Sequence, residues 1–181
     1  MQRSQLEHVL RAAGAITQCR DFVIVGSQAI LGEHPDAPPE LRISREVDIY
    51  PLDVPALADL IDGTLGEGSP FDAAFGYYAQ GVGPETATLP VGWQQRVVRV
   101  ETPATAGAVG YCIDTHDLAI SKYVAARPKD RIFNRLLIQH GLVDRTTLLA
   151  RCGLLADRTV AGRIEAAIEG DCRGLAAPPS F

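Results

Sequence analysis

Two short stretches carry residues of the kind that handle phosphate and metal. In Phe22-Val23-Ile24-Val25-Gly26-Ser27 a β-branched apolar run stops at Gly-Ser, and the helix formers Gln28-Ala29-Ile30-Leu31 follow. That order predicts a strand, a tight turn and a helix start. Such a turn aims backbone N–H groups and a positive dipole end at one spot, which suits a triphosphate. Gly26 lets a phosphate approach closely, and the Ser27 hydroxyl can donate to it. The plainer alternative is a strand-to-helix turn with a serine N-cap. In Glu46-Val47-Asp48-Ile49-Tyr50 carboxylate and apolar residues alternate. Residues i and i+2 of a strand share a face, so Glu46 and Asp48 lie side by side while Val47 and Ile49 enter the core. Neighbouring like charges repel, and a divalent cation is the usual compensation. Singly, each reads as a surface carboxylate on a strand edge. Together, behind a strand-Gly-Ser-helix unit, they read as ligands for Mg²⁺, which takes a few carboxylates and completes its shell from substrate phosphates.

A second group is basic. Lys122, Arg127, Lys129 and Arg131 fall near the junction of two expected helices. Arginine grips phosphate with its fork and lysine as a point charge; the alternative is a solvated helix face whose ion pairs with Asp130 contribute little. His116, between Asp114 and Asp117, reads either as a helix-start packing residue or as a group that orients a carboxylate or touches substrate. Trp93 and Tyr50 are candidates for stacking on a base or for the core. There is no G-x-S-x-G elbow, and Gly26-Ser27 lacks the Gly-Lys of a Walker A loop.

The pairing of Gly26-Ser27 with Glu46-Val47-Asp48 resembles the polymerase-β-like nucleotidyltransferase superfamily, with the likeness running from Val23 to Pro51. His116-Asp117-Leu118 through Lys122 to Arg127-Pro128-Lys129-Asp130 resembles the helical segment of AbiEii-type bacterial nucleotidyltransferase-like proteins. The interval from Ser27 to Glu46 is longer than usual for the superfamily and holds Pro35, Pro38 and Pro39, as an inserted loop would. The resemblance implies transfer of a nucleoside monophosphate from an NTP to an acceptor with Mg²⁺. It implies phosphate contacts from Gly26, Ser27, Lys122, Arg127 and Lys129, and metal contacts from Glu46 and Asp48. It also implies a third carboxylate on a later strand, for which Glu101 is the candidate because it ends an alternating run; a strand-end surface charge is the alternative. The NTP is expected in a cleft between the two halves of the chain. The acceptor is left open among RNA, a protein hydroxyl and a small molecule. AbiEii-type relatives include toxins, which admits a cognate antitoxin as partner.

The elements that must position these residues follow from periodicity. Leu6, Val9, Leu10, Ala13 and Ile16 have helical spacing, with the helix ended by Arg20-Asp21. Phe22–Val25 is a strand covered on both faces. A short helix after Ser27 is broken by Gly32 and Pro35, and residues 33–45 form a proline-rich loop with Arg42 and Arg45. Val47–Tyr50 is the second strand. Pro55 opens a helix closed by Gly63, Gly66 and Gly68, and Ser69-Pro70-Phe71-Asp72 a capped helical turn. Tyr77–Gln80 and Trp93–Glu101 read as strands, the latter with Val97, Arg99 and Glu101 on one face. Residues 84–92 read as an irregular loop, and Val109–Ile113 as the last strand. Helix formers then take over: helices are expected from Asp114 or Thr115 to about Ala126, from Pro128 to Gly141, over Asp144–Arg151 and over Asp157–Glu169, with a frayed tail from Ala176 to Ser180. The fold expected is α/β (α+β): a small mixed sheet flanked by helices over residues 1–110, then a helical bundle over residues 111–181.

With 181 residues the chain is long enough for its own core, and 46% apolar with 22% charged residues is a globular composition. A net charge of −5 argues against broad, non-specific DNA binding. Cys19, Cys112, Cys152 and Cys172 form no C-x-x-C pair and read as reduced, buried thiols of a cytoplasmic protein, not as a zinc cluster. The first residues read as a polar helix and not a signal peptide, and no apolar run reaches membrane-spanning length. The function expected is that of an Mg²⁺-dependent nucleotidyltransferase. The alternatives are a catalytically silent nucleotide-binding or interaction module and a phosphotransferase with the same metal site.

Overall fold

The computed structural model describes residues 1–176. They form two compact units, residues 1–87 with 94–114 and residues 88–93 with 115 onward.

The first unit is built on a five-stranded mixed sheet. Its strands are β1 (Asp21–Val25), β2 (Glu46–Pro51), β3 (Tyr78–Gly81), β4 (Val98–Val100) and β5 (Val109–Cys112), in the order β3-β2-β1-β5-β4. The most apolar strand, β1, takes the centre, where both of its faces are covered: Phe22, Val23, Ile24 and Val25 are all buried. It pairs antiparallel with β2 and parallel with β5; β2 and β3 are parallel, and β4 and β5 antiparallel.

Four helices accompany this sheet. In α1 (Arg3–Thr17) the apolar stripe Leu6, Val9, Leu10 and Ala13 is fully buried. The helix stops earlier than the sequence suggests: Gln18 adopts a left-handed conformation at φ 59°, its N–H on the Gly14 carbonyl, and Asp21 already belongs to β1. After Ser27–Ala29, a 3₁₀ turn, comes the single turn α2 (Ile30–Glu33). Arg3 donates to the carbonyls of Leu31 and Gly32 at 2.5 and 3.2 Å, satisfying that helix end. Helix α3 (Ala58–Leu65) runs through Gly63 and ends at Gly66, because its buried residues Ala58, Ile61 and Leu65 hold it together across the glycine. In α4 (Pro70–Phe75) Ser69 accepts from the Asp72 N–H at 3.2 Å. Arg45 fastens the proline-rich loop to that helix through Asp72 and the Gly76 carbonyl.

The run Trp93–Glu101 gives only three residues of strand, Val98–Val100, while Trp93–Gln95 forms a 3₁₀ turn. Alternation permits a longer strand, but β4 pairs only over Gly110–Cys112 of its neighbour, and a strand reaches no further than its partner.

The second unit is helical. Its helices are α5 (Thr115–Ala125), α6 (Pro128–Gln139), α7 (Arg145–Cys152) and α8 (Arg158–Ala176). Helix α5 is buried round most of its circumference and packs against the other three. Asp144 caps α7 through the Thr147 N–H at 2.8 Å, and Asp157 caps α8 through Thr159 and Val160 at 2.8 and 3.1 Å. Helix α8 continues past Glu169 to Ala176, so the frayed tail expected from Ala176 begins inside a helix; the rest of it lies outside the described residues. The short segment 88–93 is tied to this unit by the Val91 N–H on the Leu154 carbonyl at 3.0 Å. Of the four thiols expected to be buried, Cys112 and Cys152 are, whereas Cys19, in the link between α1 and β1, and Cys172, near the end of α8, are partly exposed. No helix among the described residues is long and apolar enough to cross a membrane.

Candidate active site

The antiparallel ladder sets Val25 of β1 opposite Asp48 of β2. The next residue, Gly26, turns the chain at φ 65° and ψ −171°, a conformation that a side chain strongly disfavours. A Cβ built on Gly26 would lie 1.7 Å from Asp48 Oδ2. The turn and the carboxylate are therefore in direct contact. Ser27 opens the 3₁₀ turn, in which the Ala29 N–H bonds the Gly26 carbonyl at 3.2 Å. Gln28 follows, fully enclosed, with neither amide atom hydrogen-bonded. Burial of such an amide is costly, and nothing in its residue type announced it.

Glu46 and Asp48 are both half-exposed, and Val47 and Ile49 are buried, so the two acids share the outer face of β2. The parallel ladder puts Tyr78 of β3 beside Glu46, and its hydroxyl donates to Glu46 Oε2 at 3.2 Å. Burial, then the Glu46 charge and hydrogen bond, push the Tyr78 phenol up to about 12, so it stays a protonated donor. Sequence reasoning missed this tyrosine, since only the β2–β3 register identifies it.

Glu101 does not join this group. Its neighbour Val100 pairs with Gly110, Gly110 with Phe22, and Phe22 with Pro51, which places Glu101 at the end of the sheet opposite Asp48. Its carboxylate is held by Arg20 at 3.3 Å and by Arg99. The acid that leaves the sheet at the Asp48 end is Asp114. The Ile113 N–H bonds the Ile24 carbonyl at 3.2 Å, and Asp114 is the next residue, 3.9 Å from Arg96. The usable signal was the apolar run Val109–Ile113 stopping at an acid, not the alternation before Glu101.

The basic residues of the second unit are organised by an acid. Asp130 is fully buried; it accepts from Arg127 Nε at 2.6 Å and sits 3.3 Å from Lys122 Nζ. Lys122 is itself buried, its ammonium 5.3 Å from the centre of the Phe133 ring. Burial alone would raise the Asp130 pKa, but the hydrogen bonds and charges of Arg127 and Lys122 outweigh it and hold the carboxyl below its ordinary value. Any phosphate contact by Lys122 or Arg127 must therefore compete with Asp130. Lys129 and Arg131 are exposed. His116 Nε2 accepts from the Asp144 N–H at 3.2 Å, joining the start of α5 to the cap of α7. Tyr50 is buried and belongs to the core; Trp93 is half-exposed.

Among the described residues no group of three or more His, Cys, Asp or Glu is placed to hold a metal ion. The donor set is instead two carboxylates on one face of β2, of which Asp48 is in contact with the Gly26 turn. That suits Mg²⁺ bound together with substrate oxygens better than a closed protein cage.

No curated protein and no solved structure matches the chain at a significant level. A family model described as a nucleotidyltransferase of unknown function (DUF6036) matches residues 4–150, most of the chain and all of the sheet. The chain belongs to this nucleotidyltransferase family.

Proposed function

We propose that the protein transfers a nucleoside monophosphate from an NTP to a hydroxyl-bearing acceptor with the help of Mg²⁺. The observation that carries this reading is the contact between Asp48 and the Gly26 turn. Gly26 and Ser27 would receive the phosphates, and Glu46 and Asp48 would hold the metal, with Tyr78 fixing the orientation of Glu46. When bound, Mg²⁺ supplies charge neutralisation on the triphosphate. The acceptor oxygen forms a bond to the α-phosphorus, the bond to the bridging oxygen breaks, and pyrophosphate leaves. Asp114, at the same end of the sheet, is our candidate to take the acceptor's proton. RNA, a protein hydroxyl and a small molecule all remain open as acceptors. The likeness of residues 116–130 to AbiEii-type proteins supports a cytoplasmic toxin role with a cognate antitoxin.

A silent nucleotide-binding module is the second reading, favoured by the engagement of Glu101 with Arg20 and Arg99. Calorimetry with Mg²⁺ and each NTP, followed by incubation of the protein with cell extract and ATP labelled at the α- or γ-phosphate, separates the readings. Transfer of the α label to an acceptor supports the proposal. Transfer of the γ label alone overturns it in favour of a phosphotransferase, and binding without any transfer leaves the silent module.

A further inference from the structure

The helical unit holds a cavity of about 490 Å³ whose wall includes Arg131, Arg135, Arg163, Tyr123, Ile164 and Asp171. It is formed by α5, α6, α8 and Ala126 in the turn between α5 and α6. Small-molecule pockets run from about 300 to 1,000 Å³, so the volume is adequate for an organic ligand. The charge is unbalanced: three guanidiniums face one carboxylate. Asp171 is engaged by Arg135 at 2.8 Å and by the Tyr123 hydroxyl at 3.2 Å. Arg131 and Arg163 have no ion pair among the described residues, although the chain as a whole is acidic. Two unmatched arginines from different helices, α6 and α8, meeting at one concavity are poorly explained as solubilising surface, because like charges brought together destabilise the fold. They are well explained by a ligand that brings about two negative charges.

We infer that this cavity binds a phosphomonoester. A phosphate accepts forked hydrogen bonds from two guanidiniums, and the apolar wall of Ile164 and the Tyr123 ring would receive the organic part. Asp171, held by Arg135 and Tyr123, would accept from a hydroxyl or amine of the ligand. The inference does not depend on the nucleotide reading of the α/β unit, since none of these residues belongs to it. Two sources share the chemistry: a free mononucleotide and the phosphorylated end of an oligonucleotide.

The test is calorimetric titration of the full chain with AMP, adenosine and inorganic phosphate, and with a short oligoribonucleotide bearing either a 5′-phosphate or a 5′-hydroxyl. AMP should bind and adenosine should not. The double variant Arg131→Gln with Arg163→Gln should weaken AMP at least tenfold. Both side chains are exposed, so its melting temperature should stay near that of the parent. Asp48→Asn should bind AMP as the parent does, which separates this cavity from the proposed NTP site. Loss of AMP affinity in Asp48→Asn would instead place the mononucleotide at the proposed NTP site and overturn the inference. Tighter binding of the 5′-phosphorylated oligonucleotide than of AMP identifies a nucleic-acid end as the source, and equal or weaker binding identifies a mononucleotide. Undetectable AMP binding, or AMP affinity unchanged in the double arginine variant, overturns the inference.

Discussion

Val25 and Asp48 are register partners across the antiparallel β1–β2 pair, so the end of the central strand and the second acid of β2 are locked to the same level of the sheet. Every outcome expected at the proposed site depends on that lock, because it delivers the Asp48 carboxylate to the Gly26 turn.

Asp48→Asn keeps the side-chain shape and removes the charge. The substitution should leave the urea midpoint close to that of the parent and weaken Mg²⁺-dependent NTP binding by more than about a hundredfold, since loss of even an outer-shell group costs about 10–100-fold. Calorimetry with and without Mg²⁺ reads this directly. Unchanged affinity would remove Asp48 from the metal site.

Gly26→Ala attacks the same contact from the other side. Alanine disfavours φ 65° and its Cβ would displace Asp48 Oδ2. The expected loss is about 1–3 kcal/mol of stability, together with Mg²⁺-dependent NTP binding. Denaturant melts and calorimetry on one sample check both. A variant as stable and as competent as the parent would mean that the turn does not matter.

Tyr78→Phe deletes a single hydroxyl. Because that hydroxyl orients Glu46, Mg²⁺-dependent NTP affinity should fall about 10–100-fold. The phenol titrates only near 12, so the ratio between parent and variant should be flat from about pH 6 to about pH 9. A ratio of one would show that Glu46 needs no such support.

Asp130→Asn tests the helical unit. It strips a buried carboxylate from Lys122 and Arg127, and breaking a buried pair costs about 3–5 kcal/mol. The parent should also show an acid limb that the variant lacks. The folded pKa of Asp130 lies below its ordinary value of 3.8. Its contribution is therefore complete above that value and disappears as pH falls through the lower, folded one. Urea melts from about pH 7 down to about pH 2 would reveal the limb. Identical pH profiles in parent and variant would contradict the assignment.

Much of this was legible because it is local. The apolar run before Gly26, the Glu46–Asp48 alternation and the Pro128 helix start are all written within a few residues of where they act. Long-range pairing was not legible. That β5 lies parallel to β1, which brings Asp114 and not Glu101 to the end of the sheet that holds Asp48, is fixed only when strands find their neighbours. The Lys122–Asp130 contact joins two helices across the left-handed residue Ala126, and its geometry depends on how α5 meets α6. Gln28 looked like one more helix former, yet it ends up sealed without a hydrogen bond.

The detour of residues 88–93 has a practical consequence. The polypeptide visits the helical part once before it returns to finish the sheet, so no single scission divides the molecule cleanly. A fragment stopping at Asp114 would carry Val91 without its Leu154 acceptor, and one starting at Thr115 would lack those six residues altogether. Neither half should be judged by expressing it alone, and exchange of the helical part between relatives would require grafting two separate stretches of sequence.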